Sequence, residues 1–160
     1  MTALKPTSSP SAHPPGPPGS AVAAADCLAR AQHALHEAGS APDHTRRYAC
    51  AHVAALRAAA AVLAVRARPH PRGQRNAWVL LAGVAPELDE WAAFFAAGAT
   101  KRSAAEAGLT RSVTVREADD LLRDAESFCE VVEEVLGVTS QRLLPAPGSG
   151  AAVCPDPRAG

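Results

Sequence analysis

Aromatic residues are scarce in this sequence, and alanine supplies most of its apolar content. Two Trp, three Phe and one Tyr make up only 4% of the 160 residues. Strands draw on aromatic and β-branched residues, whereas alanine is the strongest helix former. The composition therefore argues against a sheet-based fold and predicts one all-α domain whose helices approach closely. The wealth of alanine and arginine is also typical of high-GC bacterial genomes.

Residues in metal-binding or nucleophilic spacings are missing as well. The cysteines are far apart and form no C-x-x-C pair, which excludes the common zinc and redox motifs. They are Cys27, Cys50, Cys129 and Cys154. The sequence contains no P-loop, no glycine-rich dinucleotide turn and no serine nucleophile elbow. We therefore expect neither a metal ion nor a cofactor.

The first residues lack the apolar run of a secretory signal, because Pro and Ser follow Lys5. This favours a reducing cytoplasm as the compartment. Residues 1–19 are rich in Pro and Ser and residues 139–160 in Pro, Gly and Ala, so we expect two disordered tails. A helical domain over residues 20–138 is predicted between them.

Net charge is zero, which excludes a global electrostatic attraction to nucleic acid or anionic membranes. The charges are nevertheless segregated along the chain. Residues 43–75 carry seven arginines and one aspartate, a net +6, whereas residues 113–136 carry eight acids and two arginines, a net −6. Solvated faces of neighbouring helices account for this pattern without any ligand. A basic loop at residues 68–75 that contacts phosphates is the sharper alternative.

Periodicity and capping residues predict the first two helices. Helix one begins with Ser20 as its N-cap and ends at a C′ glycine, Gly39. Helix two follows Pro42 and Asp43 and runs to about Ala67.

The remaining helices have stronger signals. Helix three is capped by Asn76 and interrupted at Pro86, where we expect a break because proline has no amide hydrogen to donate. The last helix starts at a capping box, Thr114 to Glu117, and ends at Gly137, with an apolar seam spaced three and four. Together these helices predict an up-and-down bundle of four to five helices.

Most aromatic residues fall within the stretch that spans helix three and the run after it. We expect their side chains to fill the core, since large apolar groups dominate burial. A platform on which nucleic-acid bases stack is the alternative. They are Trp78, Trp91, Phe94 and Phe95.

The run RRYACAHVAALRAAAAVLAV at residues 46–65 is the most apolar stretch that suits a helix. Sixteen of the eighteen residues 48–65 are apolar, but nine are alanine, and His52 and Arg57 interrupt them. The run is near the lower length limit for a bilayer and only weakly hydrophobic. We therefore expect the central core helix of a bundle, with no membrane contact.

Arg47, four further residues and then His52 resemble the arginine–histidine motif of the HEPN superfamily, whose members are small helical bundles. The wider pattern RYACAHVAALRAAAAVLAVRARP, with LLAGVAPELDEWAAFFAAGA and READDLLRDAESF, resembles an actinobacterial HEPN subfamily over roughly residues 22–137. Many HEPN proteins are metal-independent ribonucleases or toxin partners. The resemblance implies a homodimer in which two motifs meet in a cleft. His52 would then act as general acid or base on the ribose 2′-hydroxyl, and Arg47 would steady the phosphate charge.

Physical chemistry permits this role without requiring it. Imidazole titrates near neutral pH, and a guanidinium matches phosphate oxygens. Five residues along a helix nevertheless separate Arg47 and His52 by about 140° and about 7.5 Å of rise. Tyr48 stands where HEPN ribonucleases generally have a polar residue. His52 also shares a stripe with Leu56 and Leu63, as a hydrogen-bonded core histidine would.

We therefore predict a cytoplasmic, homodimeric HEPN module that binds a partner protein or nucleic acid without catalysis. The alternative is a metal-independent endoribonuclease, of the toxin or stress-response type, that uses Arg47 and His52. An RNA or nucleotide ligand would meet a set of candidate basic residues, namely Arg46, Arg66, Arg68, Arg72 and Arg75.

Overall fold

The computed structural model describes residues 19–68 and 76–138, which fold into five α-helices and two short 3-10 helices. The α-helices are α1 (Ser20–Ser40), α2 (His44–Arg66), α3 (Ala77–Val84), α4 (Asp89–Glu106) and α5 (Val115–Leu136). The 3-10 helices are Pro86–Leu88 and Thr110–Ser112. The described residues contain no strand, and the predicted all-α fold is confirmed. Apart from Gly19, the predicted tails lie outside the described residues, and the domain boundaries stay a prediction.

The centre of the bundle is α2, which contacts each of the four other α-helices. Its alanines at 51, 54, 55, 58, 59 and 61 are all 0% exposed. Because an alanine side chain ends at Cβ, neighbouring helices approach this one closely on several sides. By length and composition α2 could also cross a membrane, but more than half of its apolar window is buried inside the bundle. The core helix of a folded domain meets the same criteria of length and apolar composition.

Capping residues fix where three of the helices begin. The Asp43 carboxylate accepts a hydrogen bond from the Arg46 amide at 2.8 Å, and the Asn76 side chain accepts one from the Trp78 amide at 3.0 Å. The predicted capping box is confirmed before α5, where Thr114 and Glu117 bond each other's backbone amides. These side chains satisfy amide hydrogens that have no acceptor within their own helix.

Both predicted ends of helix one are wrong. The residue before α1 is Gly19, with a φ of 100° and no side-chain cap, and Ser20 is already helical. The helix also continues through Gly39 to Ser40, whose hydroxyl donates to the carbonyl of His36 at 2.9 Å. The helix ends instead at its C-cap residue, Ala41, whose backbone is extended (ψ 132°), as is usual for a residue that precedes a proline.

The predicted break at Pro86 is confirmed, and it brings the aromatic residues together. Trp78 on α3 stacks on Phe95 on α4 with ring centroids 5.2 Å apart, and Phe128 on α5 lies 5.2 Å from Phe95. These three side chains are 3% exposed or less and fill the core. Phe94 differs from the prediction because it is 46% exposed, one position away from the buried face of its helix.

Candidate functional site

Arg47 lies in the first turns of α2 and points toward α5. Its guanidinium pairs with the Asp119 carboxylate, and a second nitrogen lies 3.5 Å from the carbonyl oxygen of Ala41. The Arg47 side chain is 23% exposed and that of Asp119 is 41% exposed. The charge that was predicted to meet a phosphate is thus already balanced within the chain.

His52 lies one and a half turns further along α2 and is 0% exposed. Its Nε2 atom is 2.9 Å from the backbone carbonyl oxygen of Phe95 on α4. A carbonyl only accepts hydrogen bonds, so Nε2 carries the proton in this arrangement. The other ring nitrogen, Nδ1, is buried and has no hydrogen-bond partner among the described residues.

The imidazole is enclosed by apolar and aromatic groups. The rings of Trp78 and Phe95 both stand edge-on to it, with centroids 5.9 Å away. On α4, the backbone of Gly98 comes so close that an added Cβ would lie 3.1 Å from the Tyr48 hydroxyl and 3.5 Å from the His52 Cδ2 atom. Gly98 is a residue that sequence reasoning missed, because its importance depends on which helix packs against the motif.

This environment lowers the pKa of His52 below its ordinary value of 6.5. Burial is the largest cause, because the imidazolium loses its hydration, and the positive charge of Arg102 acts in the same direction. The hydrogen bond to Phe95 and the negative charge of Glu106 act against it. The ring is therefore neutral at pH 7.

The two motif residues turn away from each other. Arg47 engages α5 whereas His52 engages α4, as their angular separation around the helix predicts. Within one chain they do not line a common cleft.

The candidate basic residues are also spread out in the described part of the chain. Arg46 is exposed near the start of α2, and Arg66, at its end, pairs with Glu87. Twenty residues of helix place them about 30 Å apart. Arg68 is exposed just after α2, and Arg72 and Arg75 lie outside the described residues.

A groove that the sequence did not predict lies between the last turns of α1 and the second half of α5. Its volume is about 740 Å³. The lining combines apolar, polar and acidic groups, namely Gln32, Leu35, His36, Gly39, Ser40, Glu126, Glu130 and Glu133. The run of acids on α5 was visible in the sequence, but the divergence of α1 from α5 was not. We call this feature the acidic groove.

A second groove of about 470 Å³ lies where α1, α2 and the end of α4 meet. It contains Arg46, Glu37, Glu106 and the half-buried Cys50. Burial raises the pKa of the Cys50 thiol, so this group stays protonated and is a poor nucleophile at neutral pH. Across residues 19–68 and 76–138, no three His, Cys, Asp or Glu side chains are placed to hold a metal ion.

A family model described as SAV_6107-like HEPN matches residues 38–133, which is more than half of the chain and runs from the end of α1 into α5. No curated protein matches. No solved structure matches either.

Proposed function

Since the chain belongs to the SAV_6107-like HEPN family, we propose that it is a non-catalytic HEPN domain that works by binding a partner macromolecule. The observation that carries this proposal is the position of His52. Its side chain is 0% exposed and its Nε2 proton is held by the carbonyl of Phe95 at 2.9 Å.

A general acid or base must come within about 2.6–3.2 Å of the proton that it transfers. A ribose hydroxyl reaches His52 only if the α4 backbone and the rings of Trp78 and Phe95 move away. Arg47 would also have to leave Asp119 before it could neutralise a phosphate. Both motif residues have structural partners instead.

Charge favours a protein over a nucleic acid as the partner. The second half of α5, residues 124–136, carries five acids and no basic residue, and three of those acids line the acidic groove. A phosphate backbone is repelled by such a surface, whereas a basic protein segment is attracted to it. The proposal includes a second copy of the chain as a protein partner. It also includes a cytoplasmic location.

The non-catalytic role is tested by incubating the purified protein with single-stranded RNA in EDTA. The variants are His52→Gln and a matched control, His36→Gln, in which an exposed histidine of α1 is changed. We expect equal, background-level cleavage from all three proteins. EDTA-resistant cleavage that is lost in His52→Gln and kept in His36→Gln would establish the ribonuclease alternative and contradict the proposal.

Partner class is tested separately by fluorescence anisotropy with labelled single-stranded RNA, from physiological salt upward. We expect only weak, non-specific affinity, with a Kd on the order of 10⁻⁴ M or weaker. Submicromolar, salt-sensitive binding that weakens when Arg68, Arg72 and Arg75 become Ala would instead identify the basic residues as an RNA surface.

A further inference from the structure

We propose that His52 makes the packing of α4 on α2 acid-sensitive: a proton on its imidazole places a charge in the core, and opening of α4 exposes that charge to water while the rest of the bundle stays intact. The proposal does not depend on the partner of the domain. It depends on what the imidazole touches and on how unevenly the helices are buried.

His52 joins α2 to α4 through one polar contact that is surrounded by apolar groups. Nε2 of His52 donates to the Phe95 carbonyl at 2.9 Å, and the nearby Gly98 backbone lets α4 approach the same ring. Nδ1 is buried and has no partner among the described residues. A proton added there would create a charge buried among apolar and aromatic groups, which is unfavourable, whereas the Nε2 bond to Phe95 would be kept.

The ionisable groups around the ring do not offset the cost of a buried imidazolium charge. From α4, Arg102 opposes it and Glu106, which pairs with Arg102 at 3.6 Å, favours it. Tyr48, on α2 itself, has its pKa raised by burial and is neutral. The Cys129 thiol on α5 has its pKa raised to about 12 by burial. The buried residues of α1 and α3 carry no ionisable side chain.

Release is expected at α4 because this helix is the least buried of the four long ones. Only three of its 18 residues are buried, whereas ten are buried in α2 and six in α5. Helices with few buried contacts open locally at a lower free energy than the whole domain. Opening would uncover the aromatic cluster of Trp78, Phe95 and Phe128, a surface that is hidden at neutral pH.

The test is hydrogen–deuterium exchange of the full chain between pH 7.5 and pH 5.5, corrected for the intrinsic pH dependence of exchange. Between pH 6.5 and the lower pKa of the folded state, each pH unit should raise the open fraction by up to about tenfold. We expect amides of residues 92–102 to lose protection accordingly and to stay less protected at every pH than those of α1, α2 and α5, which exchange only by global unfolding. Unchanged protection of α4, or protection of α4 equal to that of the other helices across the pH range, would overturn the proposal.

The control is His52→Gln, whose amide nitrogen donates a hydrogen bond but does not titrate. Its α4 amides should exchange at the same corrected rate at both pH values. An acid response as large as that of the wild type would overturn the proposal. If the Gln variant does not fold, His52→Asn serves as the non-titrating variant. The exchange measured on the wild type then tests the proposal without any variant.

Discussion

Gly98 decides how closely α4 approaches the motif. A Cβ at this position would lie 3.1 Å from the Tyr48 hydroxyl, in a place where Tyr48 and His52 are 5% and 0% exposed. Alanine gains about 1 kcal/mol over glycine within a helix, but overpacking a core costs about 1–3 kcal/mol. We expect Gly98→Ala to lower the free energy of unfolding by up to about 2 kcal/mol, as measured by urea denaturation.

The matched control for this substitution is Gly39→Ala in α1, where nothing lies within 4 Å of an added Cβ. This change should raise the free energy of unfolding by about 0.5–1 kcal/mol. Equal stabilisation by both substitutions would mean that α4 does not pack on Tyr48 and His52 as described.

The pair between Arg47 and Asp119 ties α2 to α5. Because both side chains are partly exposed, a double-mutant cycle with Ala at each position should give a coupling of about 0.5–1 kcal/mol that weakens in salt. The exposed pair between Arg30 and Asp26 on α1 is the reference, with a coupling of about 0.3–0.5 kcal/mol or less. Zero coupling at Arg47 would mean that its charge remains available to a ligand.

The capping box sets the start of α5. Thr114 accepts a bond from the Glu117 amide, and the Glu117 carboxylate accepts one from the Thr114 amide at 2.8 Å. Thr114→Ala should cost about 1 kcal/mol of unfolding free energy in chemical denaturation. Ser127→Ala, at an exposed position within the same helix, should change stability by less than about 0.5 kcal/mol. Equal effects of the two changes would rule out a capping role.

Helix boundaries were predictable where a side chain bonds or restricts the backbone close to it in the sequence. Asn76, Pro86 and the Thr114–Glu117 box are local signals, and each helix boundary they predict is confirmed. The prediction at Gly39 was wrong because α1 continues to Ser40 and ends where Ala41, the residue before Pro42, is extended.

The surroundings of the motif were far less predictable. The apolar surface of α2 runs nearly all round, so periodicity cannot say which neighbour meets His52. That choice depends on Gly98 and on the Phe95 carbonyl, which are more than 40 residues away in the sequence. The acidic groove likewise depends on the angle between two helices, which residue spacing does not encode.

Stability of the whole domain should depend on pH through His52. The unfolded state binds a proton near pH 6.5, whereas the folded state resists it because the pKa of buried His52 is lowered. The contribution of His52 to the free energy of unfolding is therefore fully present above about pH 6.5. It is lost as the pH falls toward the lower pKa of the folded state. Thermal denaturation should show Tm falling below pH 6.5 in the wild type and a flatter profile in His52→Gln. Parallel profiles would exclude His52 as the cause.

The account rests on His52 being a neutral, buried side chain, and NMR titration of its imidazole tests this most directly. With ¹⁵N-labelled histidine, the ring should appear as the Nε2-protonated tautomer at pH 7, because Nε2 donates its proton to the Phe95 carbonyl oxygen. Its pKa should lie below the ordinary value of 6.5. A His52 pKa at or above 6.5, with the ring exchanging freely with water, would contradict the account and return His52 to consideration as an acid–base group.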